Sequence, residues 1–241
     1  LHAMTNFAAP GSSNHLPLNK LLRQLRIAAA ALDLREQSAS RIAFPGAELP
    51  FTNDFSVLSA AVAAAFPREH ARFLQLDAMI MAYDALNLTA PFRSARAIVG
   101  ATLHDPLLAE MLFCPLMYYG SAVAQDMDFA QFAIMYRSIF HEGFCRPARG
   151  MRPFLDLLLA RTREAGCEIR TACGVRQLIV RDGRVSAAIL DDDTEIAPRQ
   201  VFSSAGRIET AALCEPPPPG PTSPTGQLGF IEVIARLPQP P

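Results

Sequence analysis

The chain has 241 residues, of which 50% are hydrophobic and 19% are charged, and its formal net charge is −1. This length and composition allow a buried core, so we expect a globular protein. A net charge of −1 gives no broad electrostatic attraction for nucleic acid, whose phosphates need a clustered basic face. This argues against a nucleic-acid partner. The five cysteines form no CxxC pair, and an odd number cannot all be bridged internally. A reduced, cytoplasmic setting is therefore predicted.

No run of 18 apolar residues occurs, and the first eleven residues lack the basic start and apolar run of a signal peptide. We therefore expect no membrane span. The chain starts at Leu1 instead of Met and stops in a proline-rich stretch at 238–241. It is expected to be an internal piece of a longer protein.

The first regular pattern covers residues 14–34, where apolar residues recur at spacings of three and four. This periodicity predicts a helix with one buried stripe, capped by Asn14 or Asn19. Residues 41–51 follow, and the Pro45–Gly46 pair within them is typical of a tight turn between short strands. A small hairpin is predicted there.

Helical patterns dominate the next ninety residues. Asp54 or Ser56 is suited to cap a first helix, which Phe66–Pro67 ends. Four more helices are predicted at 73–88, 94–102, 106–118 and 129–140. They carry Leu, Met, Phe and Ala on more faces than a solvent-exposed helix would. They are either core helices or the lining of an apolar cavity.

The pattern changes after Arg149, where Gly150 and Met151 precede a helical stripe that Gly166 ends. Beyond it, 167–171 and 200–204 are predicted to be strands, the two lying parallel in one sheet. Residues 175–189 between them are predicted to form an antiparallel hairpin, because Asp182–Gly183 is a strong hairpin turn signal.

Common catalytic signatures are absent from the sequence. It contains no GxGxxG, Walker loop, GxSxG or HExxH. The five histidines have no ligand spacing and are interpreted as surface or hydrogen-bonded core residues, and the cysteines as small buried hydrophobes. We expect no metal site and assign no catalytic acid or base.

The order of elements between Gly150 and Gly206 nevertheless carries information. A glycine turn opens a helix, a short strand follows, a meander turns at Asp182–Gly183, and a last strand ends in Ser204–Ala205. This order resembles the FAD-dependent phytoene desaturase and carotenoid isomerase family of the flavin amine oxidase superfamily. The likeness is strong from Gly150 to Ala205 and weaker through the preceding helices.

The resemblance implies a partial FAD site. Its cofactor-binding residues would be Gly150, Met151, Val175, Ala205 and Gly206. Each also has a plain structural interpretation, as a turn glycine, a sheet valine or small residues after a strand. The Gly-rich turn that binds the pyrophosphate would precede the chain. The chain alone is therefore expected to bind FAD weakly and to be inactive.

The resemblance also implies an α/β fold, with a truncated FAD-binding parallel sheet, a β-meander and a mainly helical substrate domain. In chain order, residues 1–13 are expected to be a remnant of the FAD-binding domain, and residues 14–148 the substrate domain. Residues 149–215 are expected to be a further FAD-binding segment. A proline-rich loop at 216–227 and the start of a substrate-domain strand at 228–241 would follow.

The implied activity is redox chemistry by FAD on a long apolar polyene or lipid, by a desaturase, saturase or isomerase. The expected location is cytoplasmic, with peripheral membrane contact left open. Two alternatives remain: a flavin amine-oxidase-type enzyme with a polar substrate, and a non-catalytic module for apolar ligands. Absence of Trp favours the apolar substrate, because aromatic cages suit amines. The expected tunnel lining is Met79, Met81, Leu86, Phe113, Met117, Phe132 and Met135.

Overall fold

The computed structural model describes residues 4–5, 16–87, 89–121, 123 and 125–218, and only the backbone of the first two. Within this part of the chain the helices are α1 (Pro17–Gln24), α2 (Phe55–Ala65), α3 (His70–Ala82), α4 (Ala95–Thr102), α5 (Pro106–Met117), α6 (Phe129–Tyr136), α7 (Arg152–Glu164) and α8 (Arg207–Ala212). The strands are β1 (Met4–Thr5), β2 (Leu34–Glu36), β3 (Ser40–Phe44), β4 (Ala47–Phe51), β5 (Phe144–Pro147), β6 (Val175–Arg181), β7 (Arg184–Leu190), β8 (Glu195–Ile196) and β9 (Cys214–Glu215). The predicted α/β class is confirmed.

The chain divides into two compact units, the first reaching to Arg161 and the second beginning at Thr162. The first unit contains an antiparallel sheet with β5 between β1 and β2. It also contains the β3–β4 hairpin, which pairs from Ser40↔Phe51 to Phe44↔Ala47. Gly46 turns this hairpin with a φ of +85°, a value that glycine adopts without strain. The predicted hairpin is confirmed.

One hydrophobic core joins α2 to α6 with the β3–β4 hairpin. Its fully buried side chains include Leu49, Leu58, Phe73, Leu76, Ile80, Phe113, Phe129, Phe132, Tyr136 and Phe140. Asp54 caps α2, because its carboxylate accepts a hydrogen bond from the N–H of Ser56 at 2.9 Å. The predicted helices near 94–102, 106–118 and 129–140 are confirmed. The last of them continues from α6 into a π-helical turn, Arg137–His141.

Two helices are shorter than predicted. The first prediction, 14–34, was wrong beyond Gln24: α1 starts at Pro17 and is followed by a 3₁₀ turn at Ala29–Leu32 and then by β2. Proline suits the first helical position, so Asn19 lies inside the helix and does not cap it, and Asn14 lies outside the described residues. The helix predicted at 73–88 ends at Ala82. There Asp84 competes with helix continuation by accepting a hydrogen bond from the N–H of Leu86 at 3.3 Å.

A second, smaller hydrophobic cluster lies beside the three-stranded sheet. Leu18 and Leu22 of α1 pack there with Ile27, Leu32 and Cys145. Phe154, Leu157 and Leu158 of α7 complete it as partly buried residues. The apolar stripe predicted for the first helix is therefore buried only in part, through Leu18, Leu22 and Leu32, whereas Leu21 is 44% exposed.

The second unit contains a sheet in the order β8-β7-β6-β9. Strands β6, β7 and β8 form the predicted meander, and β6 turns into β7 through Asp182–Gly183. The φ angles of these two residues are +52° and +72°, which is the pattern of a type I′ turn. Strand β9 pairs parallel to β6 through Leu178↔Cys214. The predicted hairpin is confirmed.

The two strands predicted at 167–171 and 200–204 were wrong, because neither segment forms a strand. Both carry β-favouring side chains, yet these are solvent-exposed: 40% of Ile169 and 87% of Phe202. A central parallel strand needs a hydrogen-bonded neighbour on each side and cover on both faces, and no described strand lies beside either segment. The strand predicted from residue 228 and most of the proline-rich loop lie outside the described residues.

Candidate functional site

The Gly150–Met151 pair forms the turn between β5 and α7, as predicted. The N–H of Gly150 donates to the carbonyl of Pro147 at 2.9 Å, and the N–H of Leu155 donates to the carbonyl of Met151 at 3.1 Å. Gly150 has a φ of +79°, and a Cβ at this position would meet no atom within 4 Å. The backbone of this turn is therefore open to a ligand.

Asn53 anchors the strand that leads into this turn. Its side chain donates to the carbonyl of Phe144 at 3.1 Å and accepts from the N–H of Phe144 at 2.8 Å. Gln37 donates to the same amide oxygen at 2.7 Å. A Cβ on the neighbouring Gly143 would lie 2.4 Å from the Asn53 side chain. The sequence contains no signal for Asn53, since its partner strand is 91 positions away.

Val175 begins β6 and pairs with Leu190 of β7, in the second unit. Its side chain is 40% exposed, whereas Leu178, three residues on, is 4% exposed and belongs to the core. The preceding Gly174 donates its N–H to the Asp191 carboxylate at 2.8 Å, which closes this end of the β6–β7 ladder. Val175 is thus a strand residue outside the buried core.

Ala205 and Gly206 form the turn into α8, and Gly206 has a φ of +100°. The hydroxyl groups of Ser203 and Thr210 lie 2.6 Å apart, and the N–H of Ala205 donates to the Ser203 hydroxyl at 3.3 Å. A cavity of ≈ 590 Å³ opens here, and its lining includes Ser203, Gly206, Arg207 and Thr210. The turn therefore borders an open cavity whose lining also includes Ala211 and Pro218.

The five predicted cofactor-binding residues divide between the two units. Gly150 and Met151 belong to the first, and Val175, Ala205 and Gly206 belong to the second. Within the second unit, the cavity lining includes Gly206 but not Val175. The structure thus forms both glycine turns, and the binding role of all five residues stays a prediction.

The predicted apolar tunnel is wrong for its central residues. Phe113 and Phe132 are fully buried with ring centroids 4.8 Å apart, so each fills the space that a ligand would need. Met79, Met117 and Met135 pack against the same core, while Met81 and Leu86 are 46% and 78% exposed. Because the apolar residues of α3, α5 and α6 cover several faces of each helix, these helices pack against one another and leave no tunnel among these residues.

Two histidines have hydrogen-bonded partners, as interpreted from the sequence. His141 lies 2.7 Å from the Asp77 carboxylate and stacks on Phe55 at 4.2 Å, and His70 lies 3.1 Å from the Ser59 hydroxyl. The ring of Tyr136 lies 5.9 Å from that of His141, and its buried hydroxyl makes no hydrogen bond of good geometry with any described residue. Burial, and secondarily the nearby Asp77 carboxylate, raises the pKa of Tyr136 well above its ordinary value.

Among the described residues, no group of three or more His, Cys, Asp and Glu side chains could hold a metal ion. None of their helices combines the length and apolar character that crossing a bilayer requires.

No family model and no curated protein matches this chain. Among solved structures, the chain is similar to the crystal structure of an oxidoreductase from Methanosarcina mazei, with a TM-score of 0.58 and 19% sequence identity. The match covers 89% of this chain and 49% of that chain. The chain therefore shares a fold with about half of that oxidoreductase.

Proposed function

We propose that this chain is part of a FAD-dependent oxidoreductase that acts on a long apolar polyene or lipid. The observation that carries the proposal is the succession of two positive-φ glycine turns, at Gly150 and Gly206, and a type I′ meander within a fold shared with an oxidoreductase. Their order along the chain is that of the phytoene desaturase and carotenoid isomerase family, which it resembles.

The proposed cofactor contacts are mainly made by the backbone. Gly150 would let the β5–α7 turn approach the cofactor closely, because no side chain fills the space where its Cβ would be. At the turn before α8, the backbone of Gly206 would face the cofactor beside the hydroxyl groups of Ser203 and Thr210, while the Glu209 side chain occupies the space where a Cβ would be. Val175 would pack against the adenine through its exposed side chain. When bound, FAD supplies the hydride or electron transfer.

The phosphates of FAD need more than these residues. Pyrophosphate is commonly bound by N–H groups at a helix N-terminus after a Gly-rich turn, and the 241-residue sequence contains no such turn. This supports the proposal that the chain contributes one portion of a larger cofactor site. The remaining portion would come from a nucleotide-binding βαβ unit.

The apolar substrate is supported by side chains outside the packed core. Met81, Leu86 and Phe92, near the end of α3 and the loop before α4, are 46%, 78% and 54% exposed. Large apolar side chains this exposed are costly in water and are common where apolar ligands or lipid surfaces bind. The proposed substrate would therefore be recognised at the edge of the helical core and not through its centre.

Flavin absorbance after gel filtration tests the cofactor proposal. The chain alone should elute with far less than one FAD per protein, and joining it to a nucleotide-binding βαβ unit should restore retention. In the joined protein, Gly150→Val should reduce FAD retention, because the new side chain would occupy the open space through which the β5–α7 turn would approach the cofactor.

Gly166→Val is the matched control. Gly166 also has a positive φ, +78°, and open space around it, but it only ends α7. Equal loss of FAD in both variants would show a general folding defect and refute the assigned role of Gly150. Stoichiometric FAD on the chain alone would place the main cofactor site within these residues.

A further inference from the structure

Two arginines face each other across the small sheet of the first unit. The register of β2 and β5 places Arg35 opposite Arg146, between the pairs Leu34↔Pro147 and Glu36↔Cys145. Directly opposed residues share one face of a sheet, with Cβ atoms about 5 Å apart. Cys145 is 2% exposed and packs into the smaller core, so strand alternation places both arginines on the face away from it.

This juxtaposition is unfavourable for the protein without a ligand. Like charges directly opposed in an antiparallel pair destabilise it. Asp33 lies 3.0 Å from Arg35, but both side chains are more than half exposed, and an exposed ion pair compensates little. Among the described residues, no carboxylate pairs with the guanidinium of Arg146. The ion pair with Asp33 balances the charge of Arg35, so within the described residues the charge that remains without a carboxylate partner is that of Arg146.

The arginines line a cavity of ≈ 250 Å³ together with Glu36, Gln37 and Phe144, and Glu36 alternates with Arg35 along β2. This volume is below that of pockets for drug-sized ligands and suits a single anionic group. Gln37 is fixed, since its amide donates to Asn53 at 2.7 Å and accepts from the Ser40 hydroxyl at 2.6 Å. One wall of the cavity is thus held in place by hydrogen bonds.

We propose that Arg35 and Arg146 bind a small oxyanion, the phosphate or carboxylate group of a ligand, in this cavity. Each guanidinium presents a planar fork of N–H donors that matches the oxygens of such a group, and two forks on adjacent strands bind opposite sides of it. The bound anion removes the repulsion between the arginines. This site is distinct from the two glycine turns and does not depend on FAD.

Calorimetric titration of the full 241-residue chain with inorganic phosphate at low ionic strength tests the site. Arg146→Gln should weaken phosphate binding about 10-fold or more, since a charge-assisted hydrogen-bonding partner is lost. Arg146→Lys keeps the charge without the fork and should recover part of the affinity. Circular dichroism of each variant checks that the fold is retained.

Arg41→Gln provides the control, because Arg41 is an equally exposed arginine whose partner is Glu48, on the β3–β4 hairpin. It should leave phosphate affinity unchanged. Equal weakening in Arg41→Gln and Arg146→Gln, or no binding by the unaltered chain, would overturn the proposal. A parallel titration with butyl phosphate separates the two sources of the anion: equal affinity indicates a free ion, and tighter binding indicates the head group of a larger ligand.

Discussion

Asn53→Ala should be among the most damaging single substitutions of a partly buried polar residue in the first unit. The asparagine side chain takes part in three hydrogen bonds, two with the backbone of Phe144 and one with Gln37. Each contributes about 1 kcal/mol net, and water can replace part of the loss at a partly buried site. We therefore expect the free energy of unfolding to fall by about 2–3 kcal/mol.

Tyrosine fluorescence during urea unfolding measures this loss cleanly. The chain has no tryptophan, and its four tyrosines, Tyr83, Tyr118, Tyr119 and Tyr136, all belong to the first unit. The signal therefore reports on the unit that contains Asn53.

Asn87→Ala is the control for this measurement. Asn87 is exposed, and among the described residues its side chain bonds only to Thr89, two residues away, so loss of this side chain should cost less than about 0.5 kcal/mol. If Asn53→Ala costs no more than Asn87→Ala, the anchoring of β5 by Asn53 is refuted.

Three further outcomes are expected. Gly143→Ala should destabilise the first unit more than Gly46→Ala, because both glycines have a positive φ but a Cβ clashes with Asn53 only at Gly143; equal urea midpoints would contradict this. Tyr136→Phe should leave stability unchanged or raise it by about 1 kcal/mol, since it removes a buried hydroxyl that makes no hydrogen bond of good geometry with any described residue, and a clear loss in urea unfolding would indicate a bridging water or a hydrogen bond to Asp77. Burial raises the pKa of Cys145 to about 11, so its thiol stays protonated at pH 8 and should be alkylated much more slowly than exposed Cys167; equal rates by mass spectrometry would refute its burial.

The elements predicted correctly have signals that are local in sequence. Asp182–Gly183 can adopt two successive positive φ angles, so the hairpin is identified by its turn alone. Asp54 similarly marks the start of α2, because its own side chain caps the helix. Such features need no knowledge of the rest of the fold.

The failures concern segments whose structure depends on distant partners. Residues 167–171 and 200–204 have β-favouring side chains, but a parallel strand forms only where neighbouring strands exist. Phe113 and Phe132 have the composition of a tunnel lining and also that of a core, and only their 4.8 Å contact distinguishes the two. Periodicity shows that a face is apolar without showing what covers it.

In the candidate site, too, local turns could be predicted from the sequence and long-range contacts could not. The two turns around Gly150 and Gly206 form where the sequence places them, and both have positive φ angles. Asn53 and the Arg35–Arg146 pair were missed, because each depends on contacts more than 90 positions apart in the chain. Long-range register, which sets these contacts, leaves no periodic trace in the sequence.

The central position of β5 has a consequence for synthesis on the ribosome. Strand β2 ends at Glu36 and its partner β5 begins at Phe144, so 107 residues lie between them. At a translation rate of about 5–20 residues per second, β2 waits roughly 5–20 s for its partner to be made. During that interval Leu18 and Leu22 of α1 have no Cys145 to pack against. The emerging chain therefore presents a short amphipathic helix with an uncovered apolar face to chaperones well before the small sheet can close.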